Sequence, residues 1–180
     1  FRLERLNPDF IGVSSVLGQA VNNDVAASLE RLNKPLAFAQ VNAKHALMSS
    51  NYNQAQLGVD RWLQMLGAVD KHQKQCVIGC GTALTIDLIE YGHHLGGYIF
   101  PSIYLQRESL FSGTRQISII EGTFDSIASG TNTQDAVHRG ILLSIVGAIN
   151  ETIRHYSDFN ITITGGDAAT FAPHLLAPVQ

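Results

Sequence analysis

An aspartate and an arginine stand side by side in the run Leu57-Gly58-Val59-Asp60-Arg61-Trp62, where helical spacing begins. Asp60 can accept a hydroxyl proton, and Arg61 can hold an anionic substrate. Further along, the run 76–87 contains the turn Gly79-Cys80-Gly81-Thr82. Its glycines let backbone N–H groups approach a phosphate, and the Thr82 hydroxyl adds a donor. An acid, a cation and a phosphate turn together suggest phosphoryl transfer, in which orienting the attacking hydroxyl matters more than strong basicity. Each feature also has an ordinary explanation. An acid in a first helical turn complements the helix dipole, an arginine beside it is commonly solvated, and hairpin turns are often glycine-rich.

Two further segments carry the same double meaning. Thr164-Gly165-Gly166-Asp167-Ala168 sets two glycines between a predicted strand and a helix N-terminus, where a nucleotide can lie close to the backbone. Thr131-Asn132-Thr133 precedes a long predicted helix, and such residues normally cap it. A dinucleotide fingerprint is excluded at Gly79–Gly81, because the third glycine is missing and 84–89 reads as strand. No Gly-Lys-Ser/Thr ending supports a Walker-type loop. Cys76 and Cys80 are the only cysteines and read as structural, as do His93 and His94, which fall in a polar turn and are expected to be solvated. No metal-ligand spacing is present.

The elements that must position these residues alternate between strand and helix. Residues 10–16 are apolar and β-branched, 20–32 have Val21, Val25, Leu29 and Leu32 at helical spacing, and 36–41 read as strand. A polar loop over 49–56 leads into the helix of Asp60, whose inner face includes Trp62, Leu66 and Val69. Strands over 75–78, 84–90 and 96–100 form an antiparallel meander with turns at 79–82 and 91–94. An apolar helix follows to Leu110, then a Thr/Ser-rich loop and a long helix over 134–156. A strand over 160–164 and a helix over 168–176 complete the pattern. The fold class is α/β, with a boundary at the polar connector 70–75 dividing units 1–74 and 75–180.

The 180 residues are 45% hydrophobic and 15% charged, enough to bury a sizeable core. The net charge of −3 and the scattered basic residues leave no surface for a phosphate backbone, so nucleic acid is not an expected partner. No apolar run approaches the ~20 residues that span a bilayer, and no leader opens the chain; a cytoplasmic protein is expected.

In order, these segments resemble the type III pantothenate kinases of the acetate and sugar kinase, Hsc70 and actin superfamily. The matching stretches are Tyr52 with 57–62, Gly81-Thr82-Ala83 with Thr85-Ile86-Asp87, Leu95-Gly96-Gly97-Tyr98-Ile99 with Pro101, Thr131-Asn132-Thr133, and 164–168. The resemblance implies an actin-like, ribonuclease H-like ATPase fold of two similar α/β domains, the first lacking its opening strands here. It implies phosphorylation of pantothenate to 4′-phosphopantothenate by ATP with Mg2+, the first step of coenzyme A biosynthesis. By position, Asp60 is the catalytic acid facing the pantothenate hydroxyl, and Tyr52, Gly58, Val59 and Arg61 line the same site. Thr133 contacts pantothenate from the partner of a homodimer. Gly81 and Thr82 bind ATP phosphate, and Gly165 and Gly166 lie near the nucleoside.

The chain departs from the family pattern at three places. Gly79 stands where an aspartate usually binds a monovalent cation, K+ or NH4+, and Asp87 is the candidate replacement. Pro101-Ser102 replaces the usual Pro-Gly. The family's opening Asp-x-Gly-Asn-Thr phosphate turn has no counterpart, so the sequence is expected to be part of a longer protein and, as it stands, to bind ATP poorly and lack full activity. Two other readings keep the fold: a non-catalytic accessory factor in gene regulation, or a kinase of a different small molecule. A plain interaction domain is the remaining alternative.

Overall fold

A computed structural model describes residues 6–113 and 122–179. Strand β1 (Ile11–Val13) pairs in parallel with β2 (Leu36–Phe38), and helix α1 (Gln19–Glu30) connects them. The remaining strands form one five-stranded sheet of order β3-β6-β5-β4-β7. Here β3 is Ser49–Ser50, β4 is Lys74–Cys80, β5 is Ala83–Glu90, β6 is His93–Pro101 and β7 is Asn160–Thr164. Helix α2 (Val59–Ala68) precedes β4, α3 (Ile103–Gly113) follows β6, and α4 (Thr133–His155) leads into β7. A short α5 (Ala168–Phe171) runs into a 3-10 turn, Ala172–His174, whose Pro173 explains why the helix expected to Leu176 stops early. Part of the Thr/Ser-rich loop after α3 lies outside the described residues.

The antiparallel meander β4–β5–β6 and the parallel β4–β7 pair make a mixed α/β sheet, as the fold class anticipates. Strict alternation in β4 and β5 sorts side chains between its faces. Cys76, Ile78, Cys80, Leu84, Ile86 and Leu88 point to one face and pack under Ile141, Leu142, Ile145, Val146 and Ile149 of α4. Val77 and Ile89 point to the other and pack with Trp62 and Met65 of α2 and with Val41, Met48 and Leu57. This second core joins residues on both sides of the 70–75 connector.

Two local expectations are corrected. The loop over 49–56 contains β3, which pairs in parallel with the first residues of β6. His93 and His94 therefore belong to a strand rather than a solvated turn, and the turn shrinks to Tyr91-Gly92, both at positive φ. His94 is buried, with Ser50 of β3 and the ring of Tyr52 against it.

Candidate active site

Gly58 caps α2 without a side chain, and the Asp60 carboxylate folds back over it: a Cβ on Gly58 would lie 2.5 Å from Asp60 Oδ1. That oxygen accepts the Arg61 backbone N–H at 2.8 Å. The glycine of Gly-Val-Asp-Arg is thus a steric requirement of the acid's pose. Asp60 is exposed at the helix start, Val59 is buried, and Tyr52 stands half-open beside them.

Arg61 is not the solvated cation that its place in sequence suggests. It is 4% exposed and enters the sheet, donating from Nε to Asp87 Oδ2 at 3.0 Å and from Nη2 to Asp87 Oδ1 at 2.5 Å. Burial alone would lower the guanidinium pKa; the hydrogen bonds and charge of Asp87 outweigh it, and the pKa is raised. Asp87 also accepts from His94 Nε2 at 3.0 Å, while His94 Nδ1 lies 2.9 Å from Ser50 Oγ. The Tyr52 ring stacks on His94 with centroids 5.9 Å apart, and Arg61 Cζ lies 5.5 Å from the same ring. Gly97 sits opposite Asp87 in register, where a Cβ would lie 2.8 Å from Asp87 Oδ1 and collide with the Ile86 carbonyl. Asp87 is therefore fully engaged and has no free carboxylate for a cation.

The two glycine turns come together at one end of the sheet. Because β4 and β7 are parallel neighbours, Gly81-Thr82 and Gly165-Gly166 both follow strand C-termini, the edge where open α/β sheets bind ligands. Gly165 has φ +107°, and a Cβ there would strike the Cys80 backbone. The Asp167 N–H approaches the Cys80 carbonyl at 3.4 Å, and all four turn residues are exposed.

Helix α2 reaches this edge through Gln64, one turn beyond Asp60. A side chain at position 79 would collide with the Gln64 carboxamide and meet Thr85 Oγ1 at 2.7 Å. Gly79 is thus the gap that lets α2 close on β4. Sequence reasoning missed Gln64 and His94. Asp87 was legible in principle, since a carboxylate in the middle of an apolar strand demands a buried partner.

Thr133 is placed apart from this cluster. It opens α4, where the adjacent Asn132 side chain accepts the Asp135 N–H at 2.9 Å as a true cap. Thr133 lines a cavity of about 460 Å3 between α3 and α4, with Gln106, Leu110, Val137 and Ile141. Cys76 and Cys80 are buried free thiols whose pKa is pushed up to about 12 by desolvation, so they are inert, as their structural reading expects. Among the described residues, no helix is long and apolar enough to cross a membrane.

An exposed acid on a helix packed against β4, with two glycine turns at the C-terminal edge of the same sheet, is the arrangement expected of an α/β phosphotransferase acting on a small molecule. Comparison with known proteins gives the particular kind. The family model for type III pantothenate kinases matches residues 1–155. A type III pantothenate kinase of Psychrobacter arcticus is 65% identical over 179 residues, covering 99% of this chain and 74% of the relative. One from Acinetobacter baylyi is 48% identical over 166 residues, covering 92% and 68%. The chain belongs to the type III pantothenate kinase family and is a kinase. A solved structure from Campylobacter jejuni, described as a Baf family transcriptional activator, aligns with a TM-score of 0.63 over 94% of this chain and 88% of its own. At 18% identity it shows a shared fold and nothing of function.

Proposed function

We propose that the reaction of this kinase runs across the α2–β4 end of the sheet, with Asp60 as the group that faces the pantothenate hydroxyl. The overall reaction is the phosphorylation of pantothenate to 4′-phosphopantothenate at the expense of ATP, in coenzyme A biosynthesis. Tyr52, Gly58, Val59 and Arg61 form the pantothenate side. Gly81 and Thr82 cradle the transferring phosphates, and Gly165 and Gly166 lie by the nucleoside. Asp60 orients the hydroxyl and takes its proton as the γ-phosphoryl leaves ATP. The observation that carries this reading is the packing of Gln64 against Gly79. It fixes the helix of Asp60 to the strand whose turn bears Thr82.

Among the described residues, no group of three or more His, Cys, Asp or Glu side chains could hold a metal ion. The divalent metal of the reaction, Mg2+, would bind with the ATP phosphates and neutralise their charge. The residues at the expected monovalent-cation position do not fit one. Gly79 offers no carboxylate, Gln64 and Thr85 fill its space, and Asp87 is committed to Arg61 and His94. Turnover is therefore independent of K+ and NH4+.

The same reading makes the active enzyme a homodimer, in which Thr133 reaches the partner's pantothenate. Its exposure at the start of α4, away from Asp60, supports this. It also treats 1–74 and 75–180 as two units meeting through α2, and places the enzyme in the cytoplasm, where free thiols persist. A coupled assay for ADP release tests it on the complete enzyme, with and without pantothenate and with K+ or NH4+ added to a sodium buffer. Pantothenate-dependent turnover at one rate in all three salts is expected. ADP release that ignores pantothenate would sink the substrate assignment, and a rate that rises with K+ would sink the reading of Gly79.

A further inference from the structure

We infer that His94 and Asp87 are positioning residues for pantothenate recognition, holding Tyr52 and Arg61 in one fixed pose; this rests on the proposed role of those two residues at the substrate site.

With His94 as the Nε2–H tautomer, the donors and acceptors of the cluster pair throughout. The Asp87 carboxylate accepts and does not donate, so His94 gives it the Nε2 proton and keeps Nδ1 as an acceptor. Nδ1 then takes the Ser50 hydroxyl proton at 2.9 Å, and Ser50 Oγ in turn accepts the Tyr52 backbone N–H at 3.1 Å. At the other end, Asp87 receives both Nε and Nη2 of Arg61. An unbroken chain of hydrogen bonds thus runs from the Tyr52 main chain to the Arg61 side chain, through two groups that are 1% exposed. The ring stack of Tyr52 on His94 and the guanidinium near that ring close the circuit.

The cluster is more than a core ion pair. A third polar partner helps to satisfy any buried pair, so the direction in which this one leads, toward Tyr52, is what ties the cluster to the site. Here a two-residue strand, β3, is added to the sheet edge, and its Ser50 meets His94. Gly97, bare because a Cβ there would strike the Ile86 carbonyl, also leaves room for Asp87 Oδ1. The Tyr52 end of the chain is exposed, and the buried Arg61 end is the sequence neighbour of the exposed Asp60. His94 and Asp87 do not themselves face the open site, since both are buried.

Steady-state kinetics on the complete enzyme separates this role from a structural one. His94→Ala removes the link while leaving Asp60 and the glycine turns intact. The pantothenate KM should rise about tenfold or more, as expected for loss of a charge-assisted hydrogen bond, with kcat and the KM for ATP little changed. His94→Gln, whose amide can donate to Asp87, should recover most of the loss. Ser50→Ala, at the half-buried end of the chain, should give a smaller rise in the same constant, and it tests the inference if His94→Ala does not fold. A folded His94→Ala or Ser50→Ala enzyme with an unchanged pantothenate KM would overturn the inference. So would equal losses toward pantothenate and ATP, the mark of a general structural defect. If the wild-type enzyme turns over no pantothenate, the substrate assignment falls and this inference with it; a wild-type enzyme that does turn over keeps the two outcomes distinct.

Discussion

The two faces of the five-stranded sheet are built from alternate residues of the same strands, yet they differ in kind. The strand side chains that face α4 are apolar, with Cys76, Ile78, Leu84 and Ile86 meeting Leu142, Ile145 and Ile149; the buried polar residues there, His138, Asn150 and Thr152, belong to the helix. The face under α2 mixes apolar packing with Arg61, Asp87, His94 and Thr85, all buried. One face excludes water and holds the sheet together; the other devotes part of its packing to buried polar groups that support the exposed Tyr52 and the helix start at Asp60. Alternation lets one strand serve both purposes, because neighbouring residues such as Ile86 and Asp87 never share an environment.

The sharpest test of this division is Asp60→Asn. Turnover should fall by about 10²–10⁴-fold, the usual worth of a positioned acid or base, while pantothenate binding measured by calorimetry and the thermal midpoint stay near wild type. A variant that lost stability instead would show Asp60 to be a helix-dipole residue and no more. Arg61→Ala comes next. It leaves the Asp87 charge buried without its main partner and should cost about 3–5 kcal/mol in urea unfolding, along with weaker pantothenate binding. An undiminished stability would mean that the α2 face tolerates an uncompensated charge, and the contrast between the faces would fail.

On the opposite face, Ile145→Val should cost about 0.5–1.5 kcal/mol with kinetic constants unchanged. A shift in either KM would show that the apolar face reaches the site. The smallest effect concerns the two thiols. Their pKa values are raised from 9.0 to about 12 in the folded protein, so their contribution is complete below about pH 9 and is lost as pH climbs toward 12. Native-state labelling with a thiol reagent at pH 8 should be slow until the protein unfolds. Rapid labelling would place a cysteine outside the α4 core.

The apolar face was easier to read in the sequence than the polar one. Helical spacing over 134–156 and alternation over 84–90 locate α4 and β5 almost to the residue, because both signals are local. The acid and arginine of α2 could be singled out because they are contiguous. Their environment could not. Arg61 and Asp87 are 26 residues apart and meet only after α2 folds over the meander. His94 looked like a turn residue because its cover, β3, is two residues long and carries no strand signal of its own. Gln64 was invisible for a related reason, since its significance depends on what is missing at Gly79, across a tertiary contact.

Gly97 ties this geometry to inheritance. Its bare Cα leaves room for the Ile86 carbonyl and for one oxygen of Asp87, so the position answers to a neighbour's backbone and to a side chain at once. A lineage that replaced Asp87 with a smaller residue would still meet the Ile86 carbonyl at position 97, whereas a lineage that filled position 97 would disturb both the acid and the strand. An asymmetric trace should follow, with glycine at 97 persisting even where position 87 drifts.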